Sequence, residues 1–116
     1  MKIICKGDIA IVGGIRSFGY ETAQEFAASV TQRVGDDLPT AIIVDLSETT
    51  GIFSAAIVEL SSLEDVIRKK GGILVIAGLP PAAKSVISAG RLDNFFMLAP
   101  DVSAALSIIA AEREVG

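Results

Sequence analysis

Asp45, Ser54 and Cys5 are the side chains whose type and position suggest chemistry. Asp45 closes the apolar run Ala41–Val44, and the carboxyl ends of buried strands are where α/β sheets place binding groups. A phosphoacceptor aspartate there would need further acids to hold magnesium. The upstream acids Asp8, Asp36 and Asp37 do not pair convincingly with it, so Asp45 reads as an acceptor for its own loop amides. Ser54 stands at the entrance of a helix-forming run. Its hydroxyl suits a cap, and a phosphate there would be favoured by the helix dipole. Ser54 is therefore the candidate phosphorylation site, with Thr50 behind it. No base lies near enough in sequence to make it a nucleophile. Cys5 sits in a strand-like apolar run and is predicted to be a buried small hydrophobe.

The chain contains no histidine, which removes histidine-based triads, histidine-ligated zinc and a histidine general base. Gly13-Gly14 follows a strand-like run but has neither the P-loop spacing nor Gly-x-Gly-x-x-Gly. No catalytic residue, cofactor or metal set is assigned, and the chain reads as a non-enzyme.

The elements that must position these groups are legible from periodicity. Ala41 to Leu60, AIIVDLSETTGIFSAAIVEL, is strand, polar turn and helix. A continuous apolar run bounded by turn residues suits a strand buried on both faces. Upstream, Ile3–Lys6 and Asp8–Val12 flank Gly7-Asp8 and predict a tight hairpin or two neighbouring edge strands. Thr22-Ala23-Gln24-Glu25 matches a capping box, followed by Ala23, Phe26, Ala27, Val30 and Val34 on one helical face. Gly35-Asp36-Asp37 is the predicted stop. The second helix is predicted from Ser54 to Lys70, with Ala56, Leu60, Leu63 and Val66 or Ile67 inward, and Gly71-Gly72 ends it. Ile73–Ala77 is a second buried strand. Pro81 opens a short helix carrying Ala82, Ala83, Val86 and Ile87, stopped by Gly90. Phe95–Leu98 is a short strand, and Pro100-Asp101 opens a last helix with Val102, Ala105, Leu106 and Ile109 inward and a frayed tail after Ala111. The order β-β-α-β-α-β-α-β-α is an α/β architecture: a mixed, mostly parallel sheet with about four crossover helices.

The 116 residues fit one domain, residues 1–116, with an aliphatic, aromatic-poor core. A net charge of −4 argues against a nucleic-acid groove, and Arg68-Lys69-Lys70 is better explained as a helix C-terminus complementing its dipole. A single cysteine permits no intrachain disulfide and fits a reducing, cytoplasmic setting. No apolar run reaches the roughly 20 residues that span a bilayer, so direct membrane insertion is not expected.

Two loops carry apolar residues out of place: Phe18 and Tyr20 before the first helix, Ile52 and Phe53 before the second. Such residues are tucked under as a staple or exposed as a contact patch. Both loops follow strands, and parallel neighbours would bring them to one end of the sheet.

The sequence resembles the STAS domain family, the fold of anti-sigma factor antagonists and of the cytoplasmic tails of sulfate transporters. The resemblance rests on Ile43-Val44-Asp45-Leu46-Ser47, on Lys70-Gly71-Gly72 with Ile73 to Gly78, and on Pro81-Ala82-Ala83-Lys84-Ser85-Val86. Gly90-Arg91-Leu92-Asp93-Asn94-Phe95-Phe96 and the ending Ala99-Pro100-Asp101-Val102-Ser103-Ala104-Ala105-Leu106 extend it. It implies a STAS-like single domain that binds a protein. In the family the helix after the Asp-Leu-Ser strand opens with Asp-Ser-Ser/Thr-Gly, and a partner kinase phosphorylates the second hydroxyl. Here those positions read Phe53-Ser54-Ala55-Ala56, which removes the acceptor oxygen and implies loss of the usual phosphoswitch. The expected partner site is Phe18, Tyr20, Ile52, Phe53 and Ser54. The expected partner is a protein, either a kinase-like anti-sigma factor or a subunit of an ABC or anion transporter. A small-molecule-binding α/β domain is the remaining alternative.

Overall fold

The computed structural model describes residues 1–34, 41–89 and 95–115. The elements are β1 (Lys2–Lys6), β2 (Ile9–Gly13), β3 (Ser17–Phe18), α1 (Tyr20–Val34), β4 (Ala41–Asp45), β5 (Gly51–Ile52), α2 (Ser54–Lys69), β6 (Ile73–Ala77), α3 (Pro81–Ala89), β7 (Met97–Ala99) and α4 (Val102–Val115). Five strands form one sheet in the order β1-β2-β4-β6-β7, and β3 and β5 form a separate parallel pair. Only β1–β2 is antiparallel; β2–β4, β4–β6 and β6–β7 are parallel. Gly7, at φ +61°, supplies the left-handed residue that the two-residue hairpin turn requires. The predicted element order holds, with the two-residue strands β3 and β5 added; they are too short for periodicity to reveal.

The sheet has two unlike faces. Ala10, Val12, Ile42, Val44, Leu74 and Ile76 pack with Phe26 and Val30 of α1, Ala56, Leu60 and Ile67 of α2, and Ala83 and Ile87 of α3. The opposite face, with Ala41, Ile43, Val75, Ala77 and Ala99, is covered by Ala105 and Ile109 of α4. This two-sided burial explains why β4 and β6 read as unbroken apolar runs.

Several expectations shift in detail. The capping box is displaced. α1 starts at Tyr20, so Gly19 is the cap, and Thr22 lies in the first turn, accepting the Gly19 N–H at 2.8 Å while donating to the Ser17 carbonyl at 2.7 Å. In α2, Ile67 rather than Val66 is the buried member of the stripe. Glu64 is buried there too, because spacing from Leu60 and Ile67 puts it on the inner face. Its Oε1 accepts from Arg68 at 2.8 Å, and that guanidinium lies 5.2 Å over the Phe95 ring. The α2 C-terminus is a Schellman motif: Gly72 N–H donates to the Ile67 carbonyl, Gly71 N–H to Arg68, and Gly71 takes φ +77°.

The last strand is Met97–Ala99 rather than Phe95–Leu98, since Phe95 and Phe96 turn into an edge-to-face pair. The tail is helical to Val115, held by Arg113 Nη2 donating to Asp8 Oδ2 at 2.7 Å. Cys5 is exposed, not buried, because β1 is an edge strand with no helix of its own above it. The predicted stops at Gly35-Asp36-Asp37 and Gly90, and the inward side chains of Val34, Ala82 and Val86, lie outside the described residues.

At the carboxyl end of the sheet the loops lock together. Leu46 N–H donates to the Ala77 carbonyl at 2.8 Å and Gly78 N–H to Ala99 at 3.0 Å. Gly78 has φ +67°, and a Cβ there would stand 3.0–3.1 Å from the Cβ, Cα and N of Ser47. Left-handed backbone costs a non-glycine residue about 1–2 kcal/mol, before any displacement of the β4 loop. Gly78→Ala should therefore lower unfolding stability by about 2 kcal/mol or more in denaturant titration.

Candidate functional site

The loop from Leu46 to Phe53 is stitched to the segment Ile15–Phe18. Buried Thr49 donates its hydroxyl to the Ile15 carbonyl at 2.5 Å. Both the N–H and the hydroxyl of Thr50 donate to the Arg16 carbonyl, at 2.8 and 3.1 Å. Ser17 and Phe18 pair with Gly51 and Ile52, and Phe53 N–H donates to the Phe18 carbonyl at 3.0 Å. The two loops thus emerge at one end of the sheet, as parallel neighbours must.

Their apolar residues divide. Phe18 is fully buried, its ring 5.2 Å from that of Phe26 in an edge-to-face contact. It belongs to the core, which corrects its expected place on the contact surface: side chains alternate along a strand, and Phe18 takes the inward position of β3. Ile52 is half-buried against the same core. Tyr20 and Phe53 remain outside, 68% and 57% exposed. The Phe53 ring lies over Gly19 and Gly51, where an added Cβ on either would meet it at 3.5 Å. A large ring thus rests on bare backbone instead of entering the core. Tyr20 follows Gly19 directly, and its hydroxyl accepts from Gln24 Nε2 at 3.0 Å. The rings and the glycines beneath them form the exposed apolar patch. Sequence reading found the rings and missed Gly19 and Gly51 as their platform, although glycines flanking misplaced aromatics were the available signal.

Phe53 is also the cap residue of α2, extended at φ −119°, ψ 166°, with no side-chain hydrogen bond to the helix. Ser54 is exposed and is the first residue inside the helix, so it does not cap as predicted. Ala56 and Ile57 N–H both donate to the Phe53 carbonyl. The amides of Ser54 and Ala55 have no intrahelical acceptor. The first turn of α2 contains no acid.

Asp45 does what its position predicted: Oδ1 accepts from Ser47 N–H at 3.0 Å, which turns the chain out of β4. No cluster of three or more His, Cys, Asp or Glu able to hold a metal occurs among the described residues. No described helix is long and apolar enough to cross a membrane. An open groove of about 440 Å³ runs between β1 and α1, lined by Met1, Ile3, Glu25, Ser29 and Gln32.

The fold recurs in solved structures. A candidate anti-sigma factor antagonist of Thermotoga maritima superposes with a TM-score of 0.88 at 18% identity, covering 94% of this chain and 93% of that one. An anti-sigma factor antagonist of Mycobacterium paratuberculosis gives 0.82 at 22% identity, over 94% and 92%. A sulfate transporter family protein of Wolinella succinogenes gives 0.79 at 15% identity, over 96% and 92%. No curated protein sequence matches the chain. The family model of the STAS domain matches residues 3–105, the stretch from β1 into α4 that carries both stitched loops, and the chain accordingly belongs to the STAS domain family.

Proposed function

We propose that this chain is a non-enzymatic, cytoplasmic protein-binding regulator of the anti-sigma factor antagonist kind, one domain over residues 1–116, and that it works without the usual serine/threonine phosphoswitch. The observation that carries this reading is Phe53: a ring 57% exposed at the amino terminus of α2, laid on Gly19 and Gly51 beside exposed Tyr20. Aromatic side chains give large contact area at low entropic cost and are enriched in interface cores. At the position where the family resemblance places the phosphoacceptor stands Ala55, whose methyl group cannot carry phosphate. The partner is a protein, read as a kinase-like anti-sigma factor, and it docks on Tyr20, Phe53 and Ser54 with Ile52 at the rim. Phe18 supports this surface from beneath.

With no charge arriving at Ala55, association is constitutive or is set by modification of a neighbouring hydroxyl. Ser54 is the candidate, being exposed at the helix entrance, where phosphate would face the positive end of the dipole. Thr50 is the weaker one, since its hydroxyl already donates to Arg16. A second reading, as an accessory subunit of an ABC or anion transporter, draws on the same fold appearing in a sulfate transporter family protein. Affinity purification of the tagged chain from its native cell separates the two by what co-purifies.

Phe53→Asp is the decisive substitution. Aspartate is a strong cap, and gaining one is worth about 0.5–2 kcal/mol, which offsets loss of the ring's contact with the two glycines. Stability should stay within about 1 kcal/mol of wild type, while partner recovery falls at least tenfold by the affinity scale of a buried aromatic anchor, about 2 kcal/mol or more. Undiminished recovery would remove Phe53 from the interface. Phe18→Ala should behave oppositely, costing about 3–5 kcal/mol of folding stability as a core truncation. Thr49→Val, which leaves the Ile15 carbonyl buried without its donor, should cost about 1–3 kcal/mol and loosen the patch from below. Intact-mass measurement of the native protein checks Ser54: one added phosphate lost in Ser54→Ala supports the modification, and an unmodified mass removes it.

A further inference from the structure

Among the described residues, the face of the sheet opposite α1 and α2 is only half covered. Five strands at about 4.8 Å spacing span about 20 Å, whereas one helix is about 10 Å across. That helix, α4, packs over β4, β6 and β7. The described residues leave the β1–β2 hairpin open on this side. Register puts Lys2, Ile4 and Lys6 opposite Gly13, Ile11 and Ile9, and directly opposed residues share a face. Ile9 and Ile11 are only half-buried at the margin of the α4 cluster, and Ile4 is 48% exposed.

α4 is itself unusual for a helix with one side to solvent. Val102 to Ala111 contains no charged residue. Its outward positions Ser103, Ser107, Ala110 and Ala111 are small and exposed. A surface helix ordinarily sets charged residues opposite its apolar stripe, and one apolar around its circumference belongs in an interior. Charge begins only at Glu112, Arg113 and Glu114. Leu106, Ala110 and Arg113 lie along one line of the helix, and Arg113 reaches Asp8 in the hairpin turn, so that line faces the open strands.

We propose that this face binds a second copy of the chain. A twofold axis along the strands sets the two sheets face to face and the two α4 helices side by side and parallel between them. Each α4 then lies on Ile4, Ile9 and Ile11 of the other copy. Two helices about 10 Å apart match the width of five strands, so both sheets become fully covered. The small outward side chains of α4 allow the close approach. The charges are self-complementary, as an isologous contact requires: Glu112 and Glu114 end α4 at the hairpin-turn end of the sheet, where Lys6 of the other copy stands. This surface lies across the sheet from α2, so the pairing leaves Phe53 and Tyr20 free.

Sedimentation velocity from low micromolar to near-millimolar protein tests the pairing. The expected species has twice the 12.0 kDa chain mass, about 24 kDa. Ile4→Glu puts a charge against the other copy's α4, and Ala110→Arg places a bulky cation on the exposed line of the helix. Each should raise the dissociation constant about tenfold or more. Ala110 is exposed in the single chain, so at concentrations below the wild-type dissociation constant, where both are single chains, its variant should keep the wild-type melting temperature. A 12.0 kDa species throughout the range, or a dimer whose dissociation constant either substitution leaves unchanged, overturns the proposal.

Discussion

The contact on which the upper end of the molecule depends is the seam between Leu46–Phe53 and Ile15–Phe18. A loop of that length following a buried strand has many conformations, and fixing each residue costs about 1–2 kcal/mol of backbone entropy. The seam offsets this with hydrogen bonds from Thr49, Thr50 and Phe53 to the carbonyls of Ile15, Arg16 and Phe18. Thr49 matters most because its bond is buried, where an unmade bond costs more than a made one contributes. The same seam sets the direction in which α2 leaves the sheet. Phe53 N–H is tied to Phe18, so the helix begins one residue later, and the Phe53 ring has nowhere to go but across Gly19 and Gly51.

The inward and outward fates of two phenylalanines follow from this one constraint. Phe18 sits on β3 and Phe53 immediately after β5, at positions that looked equivalent in sequence. A parallel pair fixes alternation: the residue at the Phe18 register faces Phe26, while Phe53 is past the pairing and serves as a helix cap. Nothing in a count of apolar residues distinguishes these outcomes. The capping box at Thr22 misled for a related reason. Its residue types were right for a helix start, but Gly19 takes the cap because the short strand before it ends at Phe18, and Thr22 accepts the Gly19 N–H from inside the helix.

Long, periodic or uninterrupted segments were legible because burial on both faces or on one stripe leaves a strong pattern: β4, β6, α1 and α2 appear where their apolar residues predict. What stayed hidden depended on neighbours distant in the chain. The exposure of Cys5 reflects the place of β1 at the edge of the described sheet. Helicity to Val115 reflects Arg113 finding Asp8 across more than a hundred residues. Burial of Glu64 follows its spacing from Leu60 and Ile67 but was not read from the sequence, because its tolerance there depends on Arg68 and the Phe95 ring. At the site, the aromatic residues could be read and their orientation could not.

On the proposed reading, the residues at the α2 entrance change the physics of recognition. In a phosphoswitch, the bound and released states differ by a dianion placed beside a partner surface, so the energy gap is electrostatic and reversible. An aromatic patch over bare backbone instead holds a partner through buried apolar area, about 25 cal/mol per Å² before the costs of association. That term is weakly sensitive to salt. A domain holding its partner in this way would be tuned by how many copies of the patch are presented together. Two patches on one body convert the second contact into an intramolecular event, and avidity can exceed single-site affinity without any new contact. The bare half of the sheet beside α4 lies on the side away from α1 and α2, so occupation of one surface leaves the other open. On the proposed reading, alanine at position 55 and the apolar face around α4 are two parts of one arrangement, in which assembly takes the regulatory place of phosphate.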